Sequence, residues 1–116
     1  RVQSVSSVPV NGDWMRPEVI DEARDKLESG LHSSFKLKMG AQDPADDVAR
    51  VVEVAEKLAG CASVRVDLNA RWDLVTSLRR LPRLAEAGVH LVEQPVPGAE
   101  VEWLAEINAA LPIPVM

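Results

Sequence analysis

Lys36-Leu37-Lys38, Asp67-Leu68-Asn69 and Glu93-Gln94-Pro95 are the places in this sequence where residue type and spacing could do chemistry. Two lysines two residues apart on a strand share one face, because side chains alternate with a period of two. Each ammonium then sees a neighbouring cation, so in a partly dry site at least one pKa should fall toward neutrality. A lysine in that state can act as a general acid or base. Asp67 and Asn69 have the same spacing, and a carboxylate beside an amide oxygen suits a hard divalent cation or the polar groups of a substrate. Glu93 ends an apolar run just before a proline that cannot extend it, and it would complement Asp67 as a second oxygen ligand. Each feature also has a plainer explanation: a solvated lysine pair, an ion pair from Asp67 to Arg65 or a lysine, an Asn69 that merely closes its strand, a salt bridge from Glu93 to Lys36 or Arg65. Taken one at a time, the plainer explanations suffice for the lysines and for Asp67. Together, two lysines, two acids and an amide fall at corresponding ends of three successive strands, and surface decoration does not account for that.

The elements that must position these groups alternate strand and helix throughout. Val2 to Val10 is the first strand, and Asn11-Gly12 the turn after it. A helix follows over about Pro17 to Glu28, with proline in its first turn, acids near its start and Ser29-Gly30 as its stop. Phe35 to Met39 is strand two. Asp43-Pro44 opens the next helix, Val48, Val51, Val52, Ala55 and Leu58 form its inward stripe, and Gly60 ends it. Val64 to Leu68 is strand three. Asp73 caps a helix that Pro82 must kink or divide, since proline deletes a backbone donor. His90 to Glu93 is strand four, a helix runs from about Ala99 to Leu111, and Ile113 to Met116 begins strand five.

Strands two to five start near residues 35, 64, 90 and 113, one βα unit apart, which implies parallel strands with right-handed crossovers. An open doubly wound sheet and a (β/α)8 barrel both accept this input. Strands of the former are covered on both sides and read as continuous apolar runs. These strands do not. Phe35, Leu37 and Met39 oppose Lys36 and Lys38, and Val64, Val66 and Leu68 oppose Arg65, Asp67 and Asn69. One apolar face for helices and one ionisable face, richest at the carboxyl ends, is the pattern of a barrel interior with a site at its top. The expected fold is therefore α/β, a partial (β/α)8 TIM-type barrel comprising about four βα units and the start of strand five. A one-sided sheet open to water is the alternative.

A chain of 116 residues with 47% apolar content supports one compact domain at most and excludes disordered, collagen-like and disulfide-stapled classes. Its net charge of -5 and pI near 5.0 argue against nucleic-acid and anionic-membrane surfaces, so a small molecule or a protein is the better partner. A single cysteine, Cys61, leaves no disulfide framework or multi-cysteine metal site; with no spanning or leader segment, the expected location is the cytoplasm. Cys61 reads as a filler or exposed thiol, and His32 as a loop residue. By parity His90, opposite Glu93, faces the helices or starts its strand. Trp72 anchors the start of a helix or walls the site, Trp14 lies in a loop where it could line a pocket, and Trp103 packs a helix. No Gly-rich phosphate cradle is present in the sequence. Position 1 is Arg, and Ile113 to Met116 reads as a buried strand without a following turn, so the expectation is a piece of a longer chain: residues 1–116 as the N-terminal half of a (β/α)8 barrel domain.

Phe35-Lys36-Leu37-Lys38-Met39-Gly40, the run from Val64 through Asp67, Asn69 and Trp72 to Asp73, and Val92-Glu93-Gln94-Pro95 together resemble the enolase superfamily, in its muconate-lactonising subgroup. Leu84-Ala85-Glu86-Ala87-Gly88 is similar to the same segment of bacterial members. The resemblance implies that Lys38 is the acid/base, Lys36 its electrostatic neighbour, Asp67 and Glu93 the first two ligands of a Mn²⁺ or Mg²⁺ ion, and Asn69 a polar member of the site. The step shared by the family forms or quenches an enolate next to a carboxylate, with the metal stabilising the developing charge. For this subgroup the implied reaction is the reversible lactonisation of cis,cis-muconate to muconolactone in aromatic catabolism. N-acylamino-acid racemase, dipeptide epimerase and o-succinylbenzoate synthase share these motifs and are the alternatives within the superfamily. An inactive half-barrel or a binding module is the alternative outside enzymes. The resemblance also implies a capping domain, a third acidic ligand beyond Met116, an opposing lysine one unit later and a homo-oligomeric parent. The 116 residues alone are accordingly expected neither to hold the metal tightly nor to turn over.

Overall fold

The structure, a computed structural model, describes residues 3–9, 32–60 and 62–116. The helix expected over 17–28, Trp14 and Cys61 lie outside the described residues, as does the side chain of His32. Four strands, β1 (Gln3–Pro9), β2 (His32–Lys38), β3 (Ala62–Asp67) and β4 (Val89–Glu93), pair in the order β1-β2-β3-β4, and every pairing is parallel. Helices α1 (Pro44–Leu58), α2 (Leu74–Glu86) and α3 (Val101–Ala110) follow β2, β3 and β4. The expected start of a fifth strand is present as a parallel bridge between Val92 and Val115. None of the described helices is long and apolar enough to cross a membrane.

The alternation read from the sequence sets the two faces of the sheet. Phe35, Leu37 and Met39 of β2 and its exit, Val64, Val66 and Leu68 around β3, and Val89 and Val92 of β4 are buried in one core with Val51, Val54, Ala55 and Leu58 of α1, Leu81 and Leu84 of α2, and Ile107 of α3. Leu37 is fully enclosed at the centre of this core. Truncating it leaves a cavity the neighbouring strands cannot collapse into, so Leu37→Ala is expected to cost about 2–5 kcal/mol, read as a lower urea midpoint. A change below about 0.5 kcal/mol, typical of a surface position, would contradict the packing.

Helix starts follow from local chemistry. Asp43 Oδ2 accepts from the Ala45 N–H and Pro44 takes the first turn of α1. Asp73 Oδ1 accepts from the Thr76 N–H at 2.8 Å at the start of α2. That backbone bond, with a further one from the Thr76 hydroxyl, holds the Asp73 carboxyl below the usual range. A depressed carboxyl contributes stability above its unfolded pKa and loses it as pH falls through the folded value. The melting-temperature gap between wild type and Asp73→Ala is therefore expected to be open at neutral pH and to close in acid, as thermal melts across a pH series will register.

One local expectation is narrowed and another corrected. Pro82 does not divide α2, which runs unbroken from Leu74 to Glu86 with the proline inside it. One missing donor is tolerated where Leu81 and Leu84 on either side are fully buried. His90 does not pack toward the helices. The β3–β4 register jumps from Val64 opposite Val89 to Arg65 opposite Leu91, which leaves His90 as the extra residue, and it is exposed. Such an irregularity breaks the period-two parity on which the expectation rests.

Candidate active site

Register brings the candidate residues level. Lys38 pairs with Asp67 and Asp67 with Glu93, so the C-terminal residues of β2, β3 and β4 form one row; Lys36 and Arg65, paired with each other, lie one layer below. Backbone bonds fix this rim. Met39 donates to the Asp67 carbonyl and Leu68 to the Glu93 carbonyl, both at 3.0 Å, while Ala70 donates to Gln94 and Gln94 to Met116, both at 2.7 Å. Trp72 is buried beside the rim, and its backbone N–H donates to the Pro95 carbonyl, so it anchors the entry to α2.

The side chains converge on the face away from the helices. Lys36 Nζ lies 3.0 Å from Glu93 Oε2 and 3.5 Å from Asp67 Oδ2. Arg65 approaches the other Glu93 oxygen at 3.8 Å. The plainer ion pairs thus exist, yet they have a particular shape: two carboxylates from adjacent strand ends meet at a single cationic point. Their partial exposure, 27% for the Lys36 side chain and 20% for Glu93, keeps such pairs weak as stability devices.

The expected fall in a lysine pKa does not occur at Lys36. The hydrogen bond and charge of Glu93, then the charge of Asp67, outweigh desolvation and hold the ammonium above its ordinary value. The two acids come from other strands and lie within 3.5 Å of the Lys36 ammonium, where opposite charge favours the protonated form. Lys38 is exposed at the end of the row, and among the described residues no salt bridge engages it.

Asn69 departs from the expected alternation. The strand ends at Asp67, so the period of two does not extend to Asn69, which takes a left-handed conformation with φ 49°. Its contact with the cluster runs through its backbone: the Asn69 N–H donates to Asp67 Oδ1 at 2.9 Å. That bond pins one Asp67 oxygen and turns the other toward Lys36. Asp67 is buried while its side chain keeps one oxygen facing the cationic point, and a pinned carboxylate is what a cation site needs from a ligand. Asp67 and Glu93 therefore fit a divalent cation as a pair. No group of three acids, histidines or cysteines that could hold one occurs among the described residues, and a hard cation would draw its remaining oxygens from water, substrate or other protein groups.

One residue stands outside the pattern read from the sequence. Asp47, in the first turns of α1, is essentially fully buried, and its Oδ2 accepts from the Gly40 N–H at 2.7 Å. The sequence does carry a signal for it, because Asp47 heads the apolar row Val51, Val54, Leu58 at helical spacing. An acid in register with a buried stripe requires an internal partner.

Residues 18–116 match the family described as enolase C-terminal domain-like. The chain belongs to the enolase C-terminal domain-like family. Within it, the chain is 60% identical over 99 residues to muconate cycloisomerase 1 of Rhodococcus opacus, covering 85% of this chain and 26% of that protein. It is 43% identical over 108 residues to a chloromuconate cycloisomerase of Pseudomonas sp. strain P51, covering 89% and 29%. The crystal structure of a muconate lactonizing enzyme from Pseudomonas fluorescens, complexed with muconolactone, superimposes with a TM-score of 0.77 at 34% identity, covering 95% of this chain and 29% of that one. The chain thus spans between about a quarter and a third of the length of these relatives, and its parallel α/β architecture is that of the corresponding part of the family.

Proposed function

We propose that this chain is an arc of a (β/α)8 barrel and forms part of a muconate cycloisomerase, with its active site at the carboxyl ends of β2, β3 and β4. The observation that carries the reading is the level row of Lys38, Asp67 and Glu93, with both acids turned to one cationic point. The relatives' names supply the substrate, a small dicarboxylate, and the 60% identity to one muconate cycloisomerase supports the unsubstituted one, although other muconate enzymes, at 38%, are less similar to this chain than chloromuconate enzymes at 43–45%.

In this reading Asp67 and Glu93 hold a Mg²⁺ or Mn²⁺ ion, which when bound supplies Lewis-acid stabilisation of charge on a substrate carboxylate. Lys38 does the proton work. One carboxylate of cis,cis-muconate adds across a double bond, forming the ring C–O bond, and the electron pair moves to the carbon next to the other carboxylate. Lys38 Nζ gives a proton to that carbon, yielding muconolactone and a neutral amine, which takes the proton back in the reverse direction. Lys36, one layer below the row, supplies positive potential beneath the reacting groups. Asp67 is oriented by the Asn69 N–H, so the carboxylate row is preorganised rather than assembled on binding.

The test is turnover by the full-length protein with added Mn²⁺, following loss of the conjugated diene and appearance of the lactone. Metal-dependent lactonisation is expected, and it should stop on chelation and return with Mn²⁺. Racemisation of an N-acylamino acid, epimerisation of a dipeptide, synthesis of o-succinylbenzoate or preferential turnover of chloromuconate, with cis,cis-muconate left untouched, would overturn the assignment.

A further inference from the structure

The backbone that leaves β2 is clamped at the first peptides beyond Lys38. Met39 donates to the Asp67 carbonyl on one side. The next N–H, that of Gly40, donates to Asp47 Oδ2 at 2.7 Å on the other. Gly40 sits at φ +106°, and a Cβ there would meet the Arg71 side chain at 2.9 Å and the Leu68 carbonyl at 3.0 Å. Only glycine accepts both the conformation and the closeness, so this turn is wedged between the exit of β3 and the start of α1. Asp47 is 1% exposed, and its second oxygen, Oδ1, is buried without a hydrogen-bond partner among the described residues. A lone buried carboxylate is an expensive way to hold a turn, since an apolar residue at the head of the Val51, Val54, Leu58 row would extend the core. The charge-assisted bond to Gly40 is what the carboxylate provides that an apolar side chain cannot.

We propose that Asp47 is a positioning residue for Lys38: its bond to the Gly40 N–H fixes the end of β2, so that the Lys38 side chain, which no salt bridge engages among the described residues, starts from a defined backbone beside Asp67 and Glu93. The inference rests on the assignment of Lys38 as the acid/base. Among the described residues no hydrogen bond or ion pair joins the Asp47 side chain to Asp67 or Glu93, so the effect of removing it is expected to separate from metal binding. In the full-length enzyme, Asp47→Ala is expected to lower kcat by about 10–100-fold, the range for a lost orienting partner, with KM and the Mn²⁺ dissociation constant within about twofold of wild type. Asp47→Asn keeps an acceptor oxygen and the volume but not the charge, and it should restore most of the loss, leaving kcat about three- to tenfold down. Glu53→Gln, at an exposed site on the same helix, is the control and should leave kcat unchanged.

The measurement is kcat and KM per folded molecule, with Mn²⁺ titrated separately in the absence of substrate. Equal losses in kcat, Mn²⁺ affinity and melting temperature would make Asp47 a purely structural residue and overturn the proposal. If Asp47→Ala does not fold, Asp47→Asn decides, and an unchanged kcat in that variant overturns the proposal as well. Failure of the reading beneath it looks different: the wild-type enzyme would then lack lactonisation, or Lys38→Met would retain it, whatever Asp47 does.

Discussion

Replacing Lys38 with methionine in the full-length protein is expected to lower lactonisation by about 10²–10⁴-fold, the contribution of a positioned general acid or base, while thermal stability and Mn²⁺ affinity stay close to wild type. The two lysines of β2 are chemically unequal despite sharing a face. Lys36 is committed, with two carboxylates within 3.5 Å, and its ammonium is held in the charged form. Lys38 stands at the level of the acids but is exposed, and no salt bridge among the described residues competes for it. Methionine keeps much of the stem and removes the exchangeable proton, so the variant separates proton transfer from packing. The check is a paired measurement of kcat and Mn²⁺ binding. Full-rate, metal-dependent turnover in this variant would show that another group moves the proton.

The second large effect is expected at Glu93. Glu93→Gln preserves shape and removes the charge that most strongly holds the Lys36 ammonium. Loss of an orienting partner alone costs about 10–100-fold in metal affinity, and loss of a ligand charge should cost at least the upper part of that range. Turnover should fall by about 10²–10³-fold, as when one preorganised electrostatic contact to the reacting charge is removed. The variant should also let the Lys36 pKa settle back toward its ordinary value. Calorimetric titration with Mn²⁺ and a pH-resolved signal from the lysine side chain test the two consequences independently. Near-normal Mn²⁺ binding would leave Glu93 with only its ion pairs to Lys36 and Arg65.

Local periodicity governs the part of the fold that is legible in the amino-acid sequence. Phe35, Leu37 and Met39 against Lys36 and Lys38, and Val64 and Val66 against Arg65 and Asp67, assign faces because alternation in a paired strand is rigid. The caps at Asp43 and Asp73 are legible for a similar reason, since a side-chain acceptor ahead of an apolar-periodic run satisfies the first helical donors. Features set by partners far away in the chain are not. The extra residue at His90 depends on how β4 registers against β3, and no pattern within Val89–Glu93 encodes it. The direction of the Lys36 shift depends on acids 31 and 57 residues further on, at positions 67 and 93. Asn69 resembles a strand residue by spacing, but its left-handed backbone at the strand end is a turn property for which asparagine is well suited. Asp47 is legible in principle, as the acid in register with the apolar positions of α1, but a search of that helix for apolar residues alone passes over it.

The central claim is that Asp67 and Glu93 hold one divalent cation beside Lys38. The most direct measurement is anomalous diffraction from crystals of the full-length protein soaked in Mn²⁺. A manganese peak within ligand distance of carboxylate oxygens from both residues, with the Lys36 ammonium displaced from its place between them, is the expected result. A peak elsewhere, or a Lys36 that still bridges the two carboxylates in saturating Mn²⁺ with no peak beside them, would contradict it.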